Sequence, residues 1–220
     1  MRMDVQEAAA YAEASYAPST HSKTKNLEVI SRDEQKNDDV QAHYLPQKQI
    51  LLIPGTNSLA DWRRYNTRVV RIGSKRLKFS KNTTERGLAN AIWHQGFMAH
   101  ARAVQQWQMA NKFPIRFIIG HSLGAASAQI LCKCYPIYGI GFAAPRTRPF
   151  DKPLRNDKLC LLINRHDDTV CGVPDQFHHC GVVHQMTPRR KIGMDHSMPN
   201  YIAALPKAIS DGQVPRKWGR

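Results

Sequence analysis

A three-layer α/β fold, with a predominantly parallel central sheet flanked by helices, is predicted by three features of this 220-residue chain. Short apolar runs such as ILLIP at 50–54, FII at 117–119 and LCLLIN at 159–164 read as strands buried on both faces. Helical patterns alternate with them, as right-handed βαβ units require. The chain leaves the first run through Gly55, which puts the following loop at the carboxyl edge of the sheet, where α/β proteins keep their sites. A hydrophobic content of 42% and this length fit one domain, 1–220, with a full core.

Each element follows from a local pattern. Val5, Ala8, Ala9, Ala12 and Tyr16 recur at helical spacing, and Pro18 is placed to end that helix. Residues 19–26 read as a polar linker. Leu27 to Ile30 and Val40 to Leu45 are candidate strands around the turn-prone SRDEQKNDD. Leu59 to Tyr65 suggests one or two helical turns, Val69 to Ile72 and Leu77 to Phe79 suggest short strands, and NTTERG suggests a loop. From His94 to Ala110 a helix is expected, with Phe97, Ala101 and Val104 near one face. Tyr138 to Phe142 and Leu159 to Asn164 are further strands; CGVVHQM is another, and DHSMPNYIAAL opens a closing helix. Residues 211–220 read as a loose basic tail.

The stretch IRFIIGHSLGAASAQILCKC, 115–134, organises the rest. A buried strand runs straight into Gly120-His121-Ser122-Leu123-Gly124, and a small-residue helix follows at once, which is the layout of a nucleophile elbow. A serine on such a strained turn needs glycine on both sides, because side chains at 120 and 124 would meet neighbouring backbone. The helix amides then point to where negative charge would develop. A serine hydroxyl also needs a histidine base and a carboxylate to orient it. Chain order places the acid after a later strand, where Asp167 and Asp168 both fit, and the histidine last. Of His178, His179, His184 and His196, only His196 precedes the final helix; His184 falls in a strand and the other two in a loop.

Composition bounds the remaining possibilities. No apolar run approaches the roughly 18 residues needed to span a bilayer, and the N-terminus lacks a signal-peptide core, so a cytoplasmic protein is expected, with signal-independent export as the other route. Five cysteines form an odd set, which suits free thiols in a reducing compartment; Cys171 with Cys180 is the one candidate pair. Cys171, His178, His179, Cys180 and His184 match no common zinc spacing, so no metal is expected. The formal charge of +15 favours an anionic partner or surface. Nine basic residues (Arg63, Arg64, Arg68, Arg71, Lys75, Arg76, Lys78, Lys81, Arg86) lie between 61 and 86 against only Asp61 and Glu85. Without interleaved aromatics or a recognised module this segment does not read as a nucleic-acid binder; a peripheral contact with anionic membrane fits it better, and a merely solvated basic face fits it best.

Six blocks in order then resemble the class 3, fungal-type lipases of the α/β-hydrolase superfamily. ILLIPGTNSLADW resembles their oxyanion strand and loop, IWHQGF their VHxGF segment, and FIIGHSLGAA their nucleophile elbow. GIGFAAPRT is similar to their FGxPR strand end, LLINRHDDTVCGVP to their acid loop, and DHSMPNYI to their histidine helix start. The resemblance implies Ser122 as nucleophile, His196 as base, and Asp168 as the acid, since the family pattern leaves one residue between acid and valine and here Thr169 precedes Val170. It implies an oxyanion hole from the amides of Thr56 and Leu123, no cofactor, and a lid around Leu59, Trp62, Arg63 and Arg64. Pro54 stands where the family usually has arginine, and Ala125 replaces a common second glycine. The implied activity is hydrolysis of acyl glycerolipid esters. A phospholipase A1, a soluble short-chain esterase and, from another class, a silent hydrolase-like module binding anionic lipid or nucleic acid are the alternatives.

Overall fold

A computed structural model describes residues 1–16, 40–55, 83–187 and 195–220, together with the backbone of 69–72 and 75–78. Among the described residues six strands form the central sheet: β2 (His43–Leu45), β3 (Ile50–Ile53), β8 (Phe117–His121), β9 (Tyr138–Phe142), β10 (Cys160–Arg165) and β11 (Val182–Met186). Their spatial order is β11-β10-β9-β8-β3-β2, all parallel except β2, which runs antiparallel to β3. The expected largely parallel sheet is therefore present.

Strand alternation sorts the core into two layers. Ile50, Leu52, Phe117, Ile119, Ile140, Phe142, Leu161 and Ile163 point to the face covered by α1 (Val5–Ala14) and α4 (Met198–Ser210). Leu51, Ile53, Ile118 and Leu162 point to the opposite face, under α2 (Gln95–Ala110) and α3 (Leu123–Cys134). Helix α1 starts where Asp4 caps it, its Oδ1 accepting from the amides of Gln6 (2.9 Å) and Glu7 (3.3 Å). It ends at Ser15, three residues before Pro18. Helix α3 is buried from Leu123 to Lys133, and its alanines allow the close approach to the sheet that an elbow needs.

Several expectations change. The tail is not loose: β12 (Lys217–Gly219) pairs antiparallel with β1 (Arg2–Asp4), and the Trp218 indole donates to Leu159 O at 3.1 Å and packs edge-on against Tyr138. One aromatic with a half-buried carbonyl to reach outweighs the charges around it. Within NTTERG, Thr84–Arg86 is a strand, β6, paired with β7 (Ile92–His94), so the following helix begins at Gln95 rather than His94. The expected strand β4 (Val69–Ile72) pairs antiparallel with β5 (Lys75–Lys78), which begins two residues before the expected Leu77 to Phe79. Leu27 to Ile30, the helical turns at Leu59 to Tyr65 and most of the nine-cation segment's side chains lie outside the described residues. All five cysteines are free thiols, so Cys171 and Cys180 are not joined. Among the described residues no helix is long and apolar enough to cross a membrane.

Candidate active site

Strand β8 delivers the chain to Ser122, which sits at φ 56° and ψ −118° immediately before α3. That is a strained conformation for a residue with a side chain, and it is held by the Ser122 amide donating to Phe142 O at 2.9 Å. Both flanking glycines are required on steric grounds. A Cβ at 120 would stand 2.3 Å from Gly124 O, and one at 124 only 1.8 Å from Ile53 O. The elbow thus locks α3 against β3, and Leu123 is the first helical residue.

Asp168 and His196 meet at the carboxyl end of β10. Asp168 is 4% exposed and caps the short 3-10 turn Thr169–Gly172. Its Oδ1 accepts from the Val170 amide at 3.0 Å, while Oδ2 accepts from Tyr201 Oη at 2.8 Å and from His196 Nδ1 at 2.7 Å. Burial pushes this carboxyl up, but the hydrogen bonds from His196, Tyr201 and Val170 outweigh it and hold the group below the usual carboxylate range. An ionised carboxylate only accepts, so His196 Nδ1 carries the shared proton. His196 Nε2 is buried and makes no hydrogen bond among the described residues. Asp167, the other acid that position allowed, faces away to Arg165, whose Nε and Nη2 donate to its two oxygens at 3.0 and 2.8 Å.

A second chain of hydrogen bonds ties the elbow to the neighbouring loops. The Gly55 amide donates to Tyr16 Oη at 2.8 Å, Tyr16 donates to His121 Nδ1, and His121 Nε2 donates to His196 O at 3.0 Å. Burial, followed by the adjacent His196, pushes the His121 imidazole down to about 3, so it stays neutral and keeps one donor and one acceptor. Its ring centroid lies 5.0 Å from that of His196. Tyr16→Phe would leave the Gly55 amide and His121 Nδ1 without this partner, at a cost of about 1–3 kcal/mol for an unmet buried polar group. We expect the unfolding free energy of the variant to drop by that amount, read from urea denaturation.

The other sequence candidates fall elsewhere. His184 lies in β11 with Nδ1 on Gln213 O at 2.7 Å, and His179 Nε2 bonds Ala144 O at 2.9 Å. His178 stands 3.7 Å from the exposed carboxylate of Asp151. Thr56, Leu59, Trp62, Arg63 and Arg64 lie outside the described residues; Gly55, just before Thr56, abuts the elbow, since a Cβ there would be 2.9 Å from Ser122 Cβ. Sequence patterns do not single out Tyr16, His121, Arg165 or Tyr201 as site residues. For Tyr201 a signal is available, because it sits five residues after His196 on the same helix start.

Solved structures share this fold. A triacylglycerol lipase whose catalytic centre is described as a serine protease triad matches with a TM-score of 0.57 and 18% identity, over 86% of this chain and 83% of that one. The fold is that of the fungal lipases. Lip2 lipase from Yarrowia lipolytica matches with a TM-score of 0.56 at 17% identity, covering 82% of this chain and 77% of its own. Lipase II from Rhizopus niveus matches at 0.54 and 18%, covering 89% and 86%. No protein-family model and no curated protein sequence matches the chain. The lipase fold is thus held here by a sequence only 17–18% identical to these three structures.

Proposed function

We propose that this protein is a serine carboxylic-ester hydrolase of the lipase type, cleaving acyl glycerolipids through Ser122, Asp168 and His196. The observation that carries this reading is the His196 imidazole: Nδ1 is fixed on a buried carboxylate at 2.7 Å, and buried Nε2 is left without a hydrogen-bond partner among the described residues, in a ring 5.0 Å from that of His121, the residue before the strained Ser122. Nε2 takes the proton of Ser122 Oγ as that oxygen attacks the ester carbonyl carbon. The carbonyl oxygen collects the negative charge next to the helix N-terminus, where the Leu123 amide and that of Thr56 would donate to it. Collapse expels the alcohol, which takes the proton back from Nε2 and leaves an acyl-enzyme. Water then repeats the cycle on the acyl carbon, releasing the fatty acid and restoring the serine. No cofactor enters these steps.

The surroundings support a place for this chemistry. Five free thiols suit a reducing compartment, which favours the cytoplasm. The +15 charge would draw the protein to an anionic lipid surface, an attraction that salt screens.

The test is covalent labelling with a fluorophosphonate, followed by peptide mapping, alongside hydrolysis of p-nitrophenyl esters from short to long acyl chains. Label on Ser122 and faster turnover of long chains are expected. Preference for short chains would give the esterase reading, and release of the sn-1 acyl chain from phospholipid the phospholipase A1 reading. A folded protein with neither label nor turnover would instead be a binding module.

A further inference from the structure

We infer that Arg165 is a positioning residue that holds the acid turn and the base turn in register, an inference that rests on the assignment of Asp168 and His196 above. Its side chain is 7% exposed and grips both turns at once. On one side it makes the two-pronged bond to Asp167, the residue before the acid. On the other, Nη1 donates to Asn200 O at 3.0 Å in the first turn of α4, and Nη2 stands 3.7 Å from Asp195 Oδ2, the residue before the base. The guanidinium lies 5.9 Å from the centroid of the Tyr201 ring. The Arg165 backbone amide donates to Tyr201 Oη at 3.1 Å, and that hydroxyl donates to Asp168. Asp195 is in turn fixed by Ser197 and Asn200.

Only a planar fork of five donors can satisfy a carboxylate, a helix carbonyl and a second acid together. Burying such a charge contributes little net stability, since an apolar residue of similar volume often does as well. What the arrangement supplies is geometry. His196 and Asp168 come from different elements, and each turn has its preceding residue tied to the same cation.

The decisive variant is Arg165→Met with Asp167→Asn, which removes both charges and leaves an unbranched stem against Tyr201. Its kcat is expected to drop 10- to 100-fold, the scale of a misplacement of about 1 Å, with KM within about twofold of wild type. The proton on His196 Nδ1 gives a readout independent of turnover. Its far-downfield NMR resonance, diagnostic of an imidazole bonded to a carboxylate, should broaden or vanish in the variant. Retention of both kcat (within about threefold) and that resonance would overturn the clamp. Should the double variant not fold, Arg165→Lys keeps the charge but cannot span both turns, and the same two readings apply. If wild type turns over no ester, the resonance alone decides: its loss in the variant upholds the clamp while the hydrolase reading fails, and its persistence sinks the clamp.

Discussion

Asp168→Asn is expected to lower kcat by about 10⁴-fold, whereas Asp167→Asn, one residue away, should cost no more than about tenfold. The difference follows from what each oxygen does. An asparagine in place of Asp168 can keep its carbonyl on the Val170 amide only by turning its NH₂ toward Tyr201 and His196, where Asp168 Oδ2 now accepts two hydrogen bonds at 2.8 and 2.7 Å. An NH₂ donor facing Nδ1 forces the imidazole proton onto Nε2. That nitrogen can then no longer take a proton from Ser122. Turning the amide over keeps His196 in its working tautomer but opposes two donors at Val170, 3.0 Å away. Asp167 touches neither His196 nor Tyr201; its oxygens are both taken by Arg165, and an asparagine there still accepts one of those bonds. Steady-state kinetics on a p-nitrophenyl ester, with thermal unfolding to show that both variants fold, makes the comparison. Equal losses in the two variants would remove Asp168 from its assigned role.

The unfolding free energy is expected to fall by about 4 kcal/mol between pH 7.5 and pH 5, well before carboxylates titrate. Two buried histidines cause it. Burial lowers His100, bonded through Nδ1 to Ser127 Oγ at 2.7 Å, to about 4, and burial with the nearby His196 lowers His121 to about 3. In the unfolded chain an imidazole takes up its proton near pH 6.5. Below that pH the unfolded state binds protons that the native state refuses, so stability is complete above about 6.5 and drains away as pH falls toward the native values. At pH 5 each histidine has crossed about 1.5 pKa units, or about 2 kcal/mol. His179, also lowered by burial, acts in the same direction. Asp168 adds its own loss only below about pH 4, where its unfolded carboxyl protonates first. Urea unfolding at pH 7.5, 6 and 5 measures the trend, and His100→Gln should remove about half of it. A flat profile across that range would mean that these imidazoles accept protons in the folded state.

The sequence by itself determined whatever depends on neighbours in the chain. Apolar runs flanked by helical patterns fix a parallel sheet, because strands buried on both faces cannot alternate with polar residues. The glycines at 120 and 124 announce the elbow, because no side chain fits where their Cβ atoms would meet backbone at 2.3 and 1.8 Å. Tertiary structure alone decided matters that hang on contacts across the chain. Asp167 and Asp168 follow the same strand, and position alone leaves both open; the family spacing implies Asp168, but the contact with His196 itself depends on the 3-10 turn that Asp168 caps and on helix α4 arriving with Tyr201. Tyr16 reads as the last apolar position of an N-terminal helix, yet its hydroxyl bonds His121, 105 residues away. Trp218 sits among charges in what reads as a loose tail, yet finds a carbonyl 59 residues earlier and a strand partner at the opposite terminus. Periodicity reports which face of an element is apolar. It carries no record of which distant polar atom a buried hydroxyl, indole or guanidinium will meet, and in this protein those meetings tie the elbow, the acid and the histidine together.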